Sequence, residues 1–335
     1  MRWEARSNTG AHVSPRCLCT RRAWTHGAPA LSADEQRIVL LQLCNALEPR
    51  VAVAFSSVSH GLWASTHALL QQLRDDHEAA TALCHKVGMR SCKELREVGH
   101  LSLYAKLSSA NLFATSPSPQ GLSGAELATL GSLGSVLPAL EKLRLIETYG
   151  ASGPDGVQRL ADGLGAGALP AVTELRLARM HIGDAGASAL AAALDRGVMP
   201  RLRVLSLQNN ALGDAGLVAL APALRRRPAL VHLTLGNNLL GDEGLAALVM
   251  PWLPAGAPPP PTGGLAKLKQ LGLWFNQVTD AGYATLAAAL DGGAMPALRD
   301  LDLIAMGGSP VAQVGLYEAL AKSRPLLTVS VTPWD

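Results

Sequence analysis

With 335 residues, the chain is long enough for one large repeat array and a small accompanying domain. Its apolar content of 48% is rich in Ala and Leu, and only 4% of residues are aromatic, which suits a stacked core and argues against a pocketed enzyme. The formal net charge of +3 arises in residues 1–30, with five Arg and one Glu; the other 305 carry 24 basic and 25 acidic side chains, so the fold lacks the basic stripe of a nucleic-acid binder.

Residues 1–30 are Arg-rich and acid-poor, with no apolar segment long enough for a secretory signal. They read as a disordered basic tail, with an organelle transit peptide as the alternative. Cys17, Cys19, Cys44, Cys84 and Cys92 all precede the repeats. An odd, irregular set reads as free thiols in a reducing compartment. Cys17 and Cys19 with His12 and His26 match no strong zinc template, so no metal or other cofactor is expected. The expected location is cytoplasmic, with the nucleus as the second possibility. No apolar run approaches the ~20 residues of a membrane helix. The nearest, Gly244–Leu253, is cut by Pro251 and followed by Pro254, so no membrane partner is expected.

Residues 31–100 form an expected helical module. Glu35–Leu47 has helical periodicity, Glu48-Pro49-Arg50 breaks it, and Val51–Trp63 follows as a second apolar-faced segment. Thr66–Lys86 and Ser91–Val98 read as further helices. His60, His67, His77, His85 and His100 are placed on these helices as surface or core residues, and Asp75-Asp76 with Glu78 as a solvated face.

Leu31 to Trp63 resembles an F-box: an apolar first helix, an L-x-P-R turn at Leu47–Arg50, and a second helix closing on Val58-Ser-x-x-x-Trp63. The resemblance implies docking on a Skp1-type adaptor of a ubiquitin ligase, through Leu31, Ile38, Leu41, Leu47, Pro49, Phe55, Val58 and Trp63. The departures are Leu31-Ser32 in place of Leu-Pro, a tryptophan one position late, and Gly61 inside the second helix. The competing reading is a helical cap that seals the open end of the repeats.

Residues 101–335 hold the repeats. Six units end their strands at Leu145, Leu177, Leu207, Leu235, Leu273 and Leu303, at intervals of 32, 30, 28, 38 and 30. The long interval contains the Pro-rich stretch 254–264, which reads as an inserted surface loop. Leu103–Leu137 is expected to hold a degenerate first unit, with its strand near Ala105–Leu107 and its helix near Ser123–Leu133. Leu326–Val331 reads as a closing strand. Alternation such as Leu205/Leu207 points leucines to one strand face. Asp184, Asp214, Asp242 and Asp280 sit at helix starts, where capping is worth ~1 kcal/mol.

The phrase L-x-x-L-x-L-x-x-N-x-L, then G-D-x-G and a helix, resembles the ribonuclease-inhibitor subfamily of leucine-rich repeats over about Pro138 to Pro333. The turn asparagine is present as Asn210, Asn238 and Asn276 but replaced by Thr148, Met180 and Met306, where looser turns are expected. The implied architecture is an α/β leucine-rich-repeat horseshoe solenoid, with parallel inner strands and outer helices, preceded by the small all-α module. Repeats of this size cannot bury their own apolar face and must stack.

There is no P-loop, G-x-S-x-G or H-E-x-x-H, and no enzymatic activity is expected. Arg225-Arg226-Arg227 reads as the cationic end of a repeat helix, with a localisation signal as the alternative. The expected partner is a protein on the concave strands, met by Arg144, Glu174, Arg176, Arg179, Gln208, His232, Trp274, Phe275, Asp300 and Asp302. Lys142, Arg144, Arg176 and Arg179 make one end basic, and Asp300 and Asp302 make the other acidic. Phe275 packing under the Pro-rich loop is the alternative to partner contact. The leading function is a non-enzymatic scaffold acting as an F-box-like substrate receptor. The alternative is a regulator similar to ribonuclease inhibitor or to the GTPase-activating protein of Ran.

Overall fold

Residues 32–57, 60–104, 121–146, 152, 155–249 and 264–331 are described by a computed structural model. Four helices open the chain: α1 (Ala33–Leu43), α2 (Arg50–Ser56), α3 (His60–Lys86) and α4 (Cys92–Glu97). Ser32 and Glu35 close a capping box at the start of α1, each satisfying the other's backbone N–H. The second apolar segment does not run on to Trp63. It ends at Ser56, and Trp63 belongs to the 27-residue α3. Ser56 and Ser57 turn their hydroxyls back onto the carbonyls of Val53 and Ala54, a local bond that competes with helix continuation.

Among the described residues, eight strands make one parallel sheet in chain order: β1 (His100–Tyr104), β2 (Lys142–Ile146), β3 (Glu174–Ala178), β4 (Val204–Ser206), β5 (His232–Thr234), β6 (Gln270–Gly272), β7 (Asp300–Asp302) and β8 (Thr328–Ser330). The helices between them are α5 (Gly124–Ser132), α6 (Gly156–Gly163), α7 (Gly183–Asp195), α8 (Asp214–Arg225), α9 (Asp242–Val249), α10 (Asp280–Asp291) and α11 (Pro310–Ser323). The first strand lies upstream of the expected Ala105–Leu107, which fall outside the described residues along with residues 1–31, Val58, Thr148 and positions 250–263. Its placement follows register: Leu101 and Leu103 pair with Leu143 and Leu145. His100 therefore opens a strand and is not helical.

Leu143, Leu175, Leu205, Leu233, Leu271 and Leu301 stand side by side in one ladder and are all buried. Each buried leucine contributes roughly 1.5–3 kcal/mol. On the helix side, Gly186, Leu190 and Leu194 of α7 face inward, as do their counterparts in α8.

Three kinds of side-chain bond tie neighbouring repeats together from β2 onward. The first is asparagine. Asn210 accepts from Met180 N at 2.7 Å and donates to Leu177 O and Gln208 O. The Met180 turn is therefore held by the following repeat and is not loose as expected. The second is aspartate. Asp184 accepts from Gly213 N and Gly216 N at the start of α8, Asp214 from Gly241 N, Asp242 from Thr279, and Asp280 from Ser309. These carboxylates cap the next repeat's helix, where the sequence suggested their own. The G-D-x-G spacing follows, because a Cβ on Gly216 would lie 2.6 Å from Asp184 Oδ1. The third is arginine. Arg196 reaches Ala161 O and Leu164 O, Arg227 reaches Leu194 O and Met199 O, and Arg324 reaches Leu290 O and Met295 O. Each places a cation on the negative end of the preceding helix. In the Arg225–Arg227 run the dipole partner is thus a neighbouring helix, with Arg225 donating to Ala247 O.

The helical module divides in two. Ala80, Leu83, Cys84, Cys92 and Leu95 share one continuous core with Leu101, Leu127 and the repeats. Leu40, Ala52, Leu70 and Leu73 form a separate small core. Cys84 and Cys92 sulfurs lie 3.8 Å apart, and burial, followed by the proximity of Cys92, pushes the Cys84 thiol up to about 12.

Candidate partner-binding face

Strand alternation leaves three rows of side chains on the face opposite the leucines. The first reads Lys142, Glu174, Val204, His232, Gln270, Asp300. The second reads Ser102, Arg144, Arg176, Ser206, Thr234, Gly272, Asp302. The third holds Ile146 and Ala178 in register, with Gln208, Gly236, Trp274 and Ile304 carrying it onward through backbone bonds such as Asn237 N to Trp274 O and Phe275 N to Ile304 O.

At the basic end, Glu174 is buried and one of its oxygens, Oε1, accepts from both Arg144 Nε at 2.7 Å and Arg176 Nε at 2.5 Å. Burial raises the Glu174 carboxyl, but the hydrogen bonds and charges of the two arginines outweigh it and hold its pKa below the ordinary 4.5. At the acidic end, His232 Nδ1 meets Gln270 Oε1, and Gln270 Nε2 donates to Asp300 Oδ2 at 3.3 Å. A polar chain thus crosses three strands.

Trp274 is seated on glycine. A Cβ on Gly236 would lie 2.1 Å from Trp274 Cε2, and one on Gly272 would lie 2.3 Å from its Cζ3. The indole spans two rungs and is partly exposed. Next to it, Phe275 is 49% exposed and holds φ at +53°. The equivalent positions are Arg179, Asn209, Asn237 and Ala305, all with positive φ. Asparagine suits this left-handed conformation and a bulky aromatic does not.

The leucine-rich-repeat family model matches residues 170–191 and 199–221. These windows contain β3 with most of α7, and β4 with much of α8. The fold is a leucine-rich-repeat solenoid. No curated protein matches the sequence. An internalin crystal structure from Listeria monocytogenes aligns over 79% of this chain and 97% of that one, with 12% identity and a TM-score of 0.25, too low to bear on function.

On the leucine-rich-repeat solenoid, the structure brings Arg144, Glu174 and Arg176 into contact, and links His232 to Asp300 through Gln270. Gln208 and Arg179 meet through the Arg179 N–H and the Gln208 carbonyl, while Asp302 Oδ1 accepts from Ile304 N. Gly236 and Gly272 were missed as the seat of Trp274. A Gly at inner-face positions of two adjacent repeats, beside a Trp, was the available signal.

In the module, Ile38 is 56% and Leu41 52% exposed, and Val51 is half-exposed beside them in sequence order on α2. Leu47 and Pro49 are buried, and Phe55 packs partly against the small core. Leu31 and Val58 lie outside the described residues, as does the side chain of Trp63. A cavity inside the solenoid, between Leu143, Leu160, Leu164, Leu175 and Leu190, is lined only by apolar side chains. Among the described residues, no helix is long and apolar enough to cross a membrane.

Proposed function

We propose that this chain is a non-enzymatic scaffold that takes a protein partner on its concave strands. Leucine-rich-repeat proteins commonly serve as interaction scaffolds, and one observation carries the specific version. Trp274 is laid over two glycines and flanked by a strained, half-exposed Phe275. Exposed aromatics over a rigid floor are the groups that dominate interface energetics. Strain kept at such a position points to function more than to folding. The test is affinity capture from lysate by wild type, Trp274→Ala and Trp274→Phe. The Ala variant loses the partner and the Phe variant keeps part of it. Equal recovery by all three rules out Trp274 as an anchor.

A second surface supports a role as a substrate receptor that docks a Skp1-type adaptor through α1 and α2. A pure cap has no use for outward Ile38 and Leu41, since the end of the solenoid is sealed by Leu47, the C-terminal part of α3 and α4. Full-length Ile38→Asp/Leu41→Asp is expected to lose adaptor capture while its melting temperature stays within a few degrees. No adaptor bound to wild type, beside a standard F-box protein that binds it, removes this reading. Acceleration of GTP hydrolysis by Ran would instead place the chain with the regulator class.

A further inference from the structure

We propose that Cys84 and Cys92 are a modification site, a dithiol that a peroxide closes reversibly to a disulfide, locking the joint between the helical module and the repeats. The two sulfurs lie 3.8 Å apart, with Cys84 near the end of α3 and Cys92 at the start of α4. A disulfide needs about 2.05 Å, so closure takes less than about 2 Å of sulfur movement, shared by two side chains. Packing alone does not call for this pair. All five cysteines lie at or before position 92, and the repeats from 101 onward fill their core without one.

The backbone on both sides is fixed in advance. Met89 N donates to Cys84 O and Gly88 N to His85 O, with Gly88 at φ +81°, the paired bonds that end a helix on a left-handed glycine. Ser91 then caps α4 by accepting from Glu94 N. The approach of the two cysteines is therefore built by two helix ends and not by a loose loop. Their side chains aim sulfur at sulfur. The Thr81 hydroxyl gives its hydrogen to His77 O, so at 3.6 Å from Cys92 it can only accept, and the Cys92 S–H points to it. The Cys92 sulfur is left to accept from Cys84.

Cys92 is 8% exposed and Cys84 1%, so Cys92 reacts first. Its sulfur bonds to one peroxide oxygen, the O–O bond breaks, and the leaving hydroxide takes the Cys92 proton as water. The resulting sulfenic acid sits against Cys84. The Cys84 sulfur attacks the Cys92 sulfur, the S–O bond breaks, and hydroxide leaves as a second water with the Cys84 proton. The two sulfurs lose two electrons and the peroxide gains them. Burial, and then the charge of Cys92, raises the Cys84 thiol to about 12, so on its own it resists oxidants in solvent. It is reserved for the second step, where held contact supplies what reactivity does not. The place of the bond gives it an effect. α3 contributes Leu70 and Leu73 to the small core and Leu83 and Cys84 to the main one. The ion pairs Glu48–Arg96 and Lys86–Glu126 bridge the same joint, but both are at least a quarter exposed, where such pairs add little. A disulfide adds a covalent tie there.

The test treats folded, full-length protein with hydrogen peroxide, counts thiols after denaturation and maps the bonds by mass spectrometry. Trypsin cuts after Arg74, Lys86, Arg90 and Lys93, so the disulfide joins peptides 75–86 and 91–93. The expected result is three thiols left of the five, that one linked pair, and recovery of all five with dithiothreitol. Cys44→Ser keeps the link, and Cys84→Ala and Cys92→Ala each abolish it. Amide exchange across α4 is expected to slow roughly tenfold on oxidation, with α8 unchanged. Five thiols remaining, links through Cys17, Cys19 or Cys44 in its place, or Cys92 oxidised to sulfinic acid beside a reduced Cys84 overturns the site. A link that forms only in urea overturns it as well. Unchanged exchange in α4 of the oxidised protein overturns the locking of the joint.

Discussion

Replacing Asn238 with Ala tests whether the asparagine ladder holds the solenoid together. Asn238 is 5% exposed. Its Nδ2 donates to Leu207 O at 3.0 Å, Leu235 O at 2.9 Å and Gly236 O at 3.3 Å, and its Oδ1 accepts from Asn210 N at 2.9 Å and Leu212 N at 3.1 Å. Alanine leaves two buried backbone donors without that acceptor, each costing about 1–3 kcal/mol. The carbonyls keep other partners and add less, so the loss is expected at about 3–5 kcal/mol. The neighbouring Asn237 is the control. It is exposed, with φ at +52° and a single side-chain bond to Asn209. Asn237→Gly keeps the backbone conformation and is expected to stay within about 0.5 kcal/mol. Urea unfolding of the full chain, followed by far-UV circular dichroism, gives both values. A loss below 1 kcal/mol for Asn238→Ala, or equal losses for the two variants, refutes the reasoning.

Tyr283 is fully buried and, among the described residues, its hydroxyl is the buried side-chain group without a hydrogen-bond partner; burial, and then the charge of Asp280, raises its pKa to about 12. Tyr283→Phe is therefore expected to be at least as stable as wild type, by up to about 1–2 kcal/mol, and a lower melting temperature contradicts this. Gly236→Ala pushes a methyl into the Trp274 ring and is expected to lower partner capture as Trp274→Ala does, with no such effect from Gly315→Ala, where a Cβ meets nothing. Glu174 has its folded pKa below the ordinary 4.5, so its stabilisation is present above that pH and lost as pH falls through the folded value. The stability gap between wild type and Glu174→Gln should shrink from pH 6 to pH 3. A gap independent of pH shows that the arginine latch does not depend on the carboxylate charge.

Much of the fold was legible because leucine alternation and helix periodicity are local signals repeated six times. The buried rung, the inward Gly-Leu-Leu stripe of α7 and the helix after Ser123 follow from them. The first strand was misplaced because its Leu101/Leu103 pair lies 42 residues before Leu143/Leu145, outside the repeat period of about thirty. The second helix of the module was drawn too long because serine hydroxyls that break a helix look, in sequence, like ordinary polar positions. Of the candidate face, eight of the ten named residues follow from strand alternation, while Arg179 and Phe275 sit at the turn position beyond it, and their bonds do not follow from it. Glu174 was expected as a partner contact, and only its burial between Arg144 and Arg176 shows it as their shared acceptor.

Taken alone, the amino-acid order determined that leucines must stack in rungs, since a unit of about thirty residues has no other way to leave water. It also determined which side chains face away from those leucines. Only the tertiary structure decided which repeat each polar group serves. Asn210, Asp184 and Arg227 each bond to a neighbour roughly thirty residues away, and no local pattern distinguishes that from bonding within the repeat. The same holds for Trp274, whose seat is built from Gly272 in β6 and Gly236 just beyond β5, 36 residues apart, because packing between rungs depends on register and not on sequence proximity.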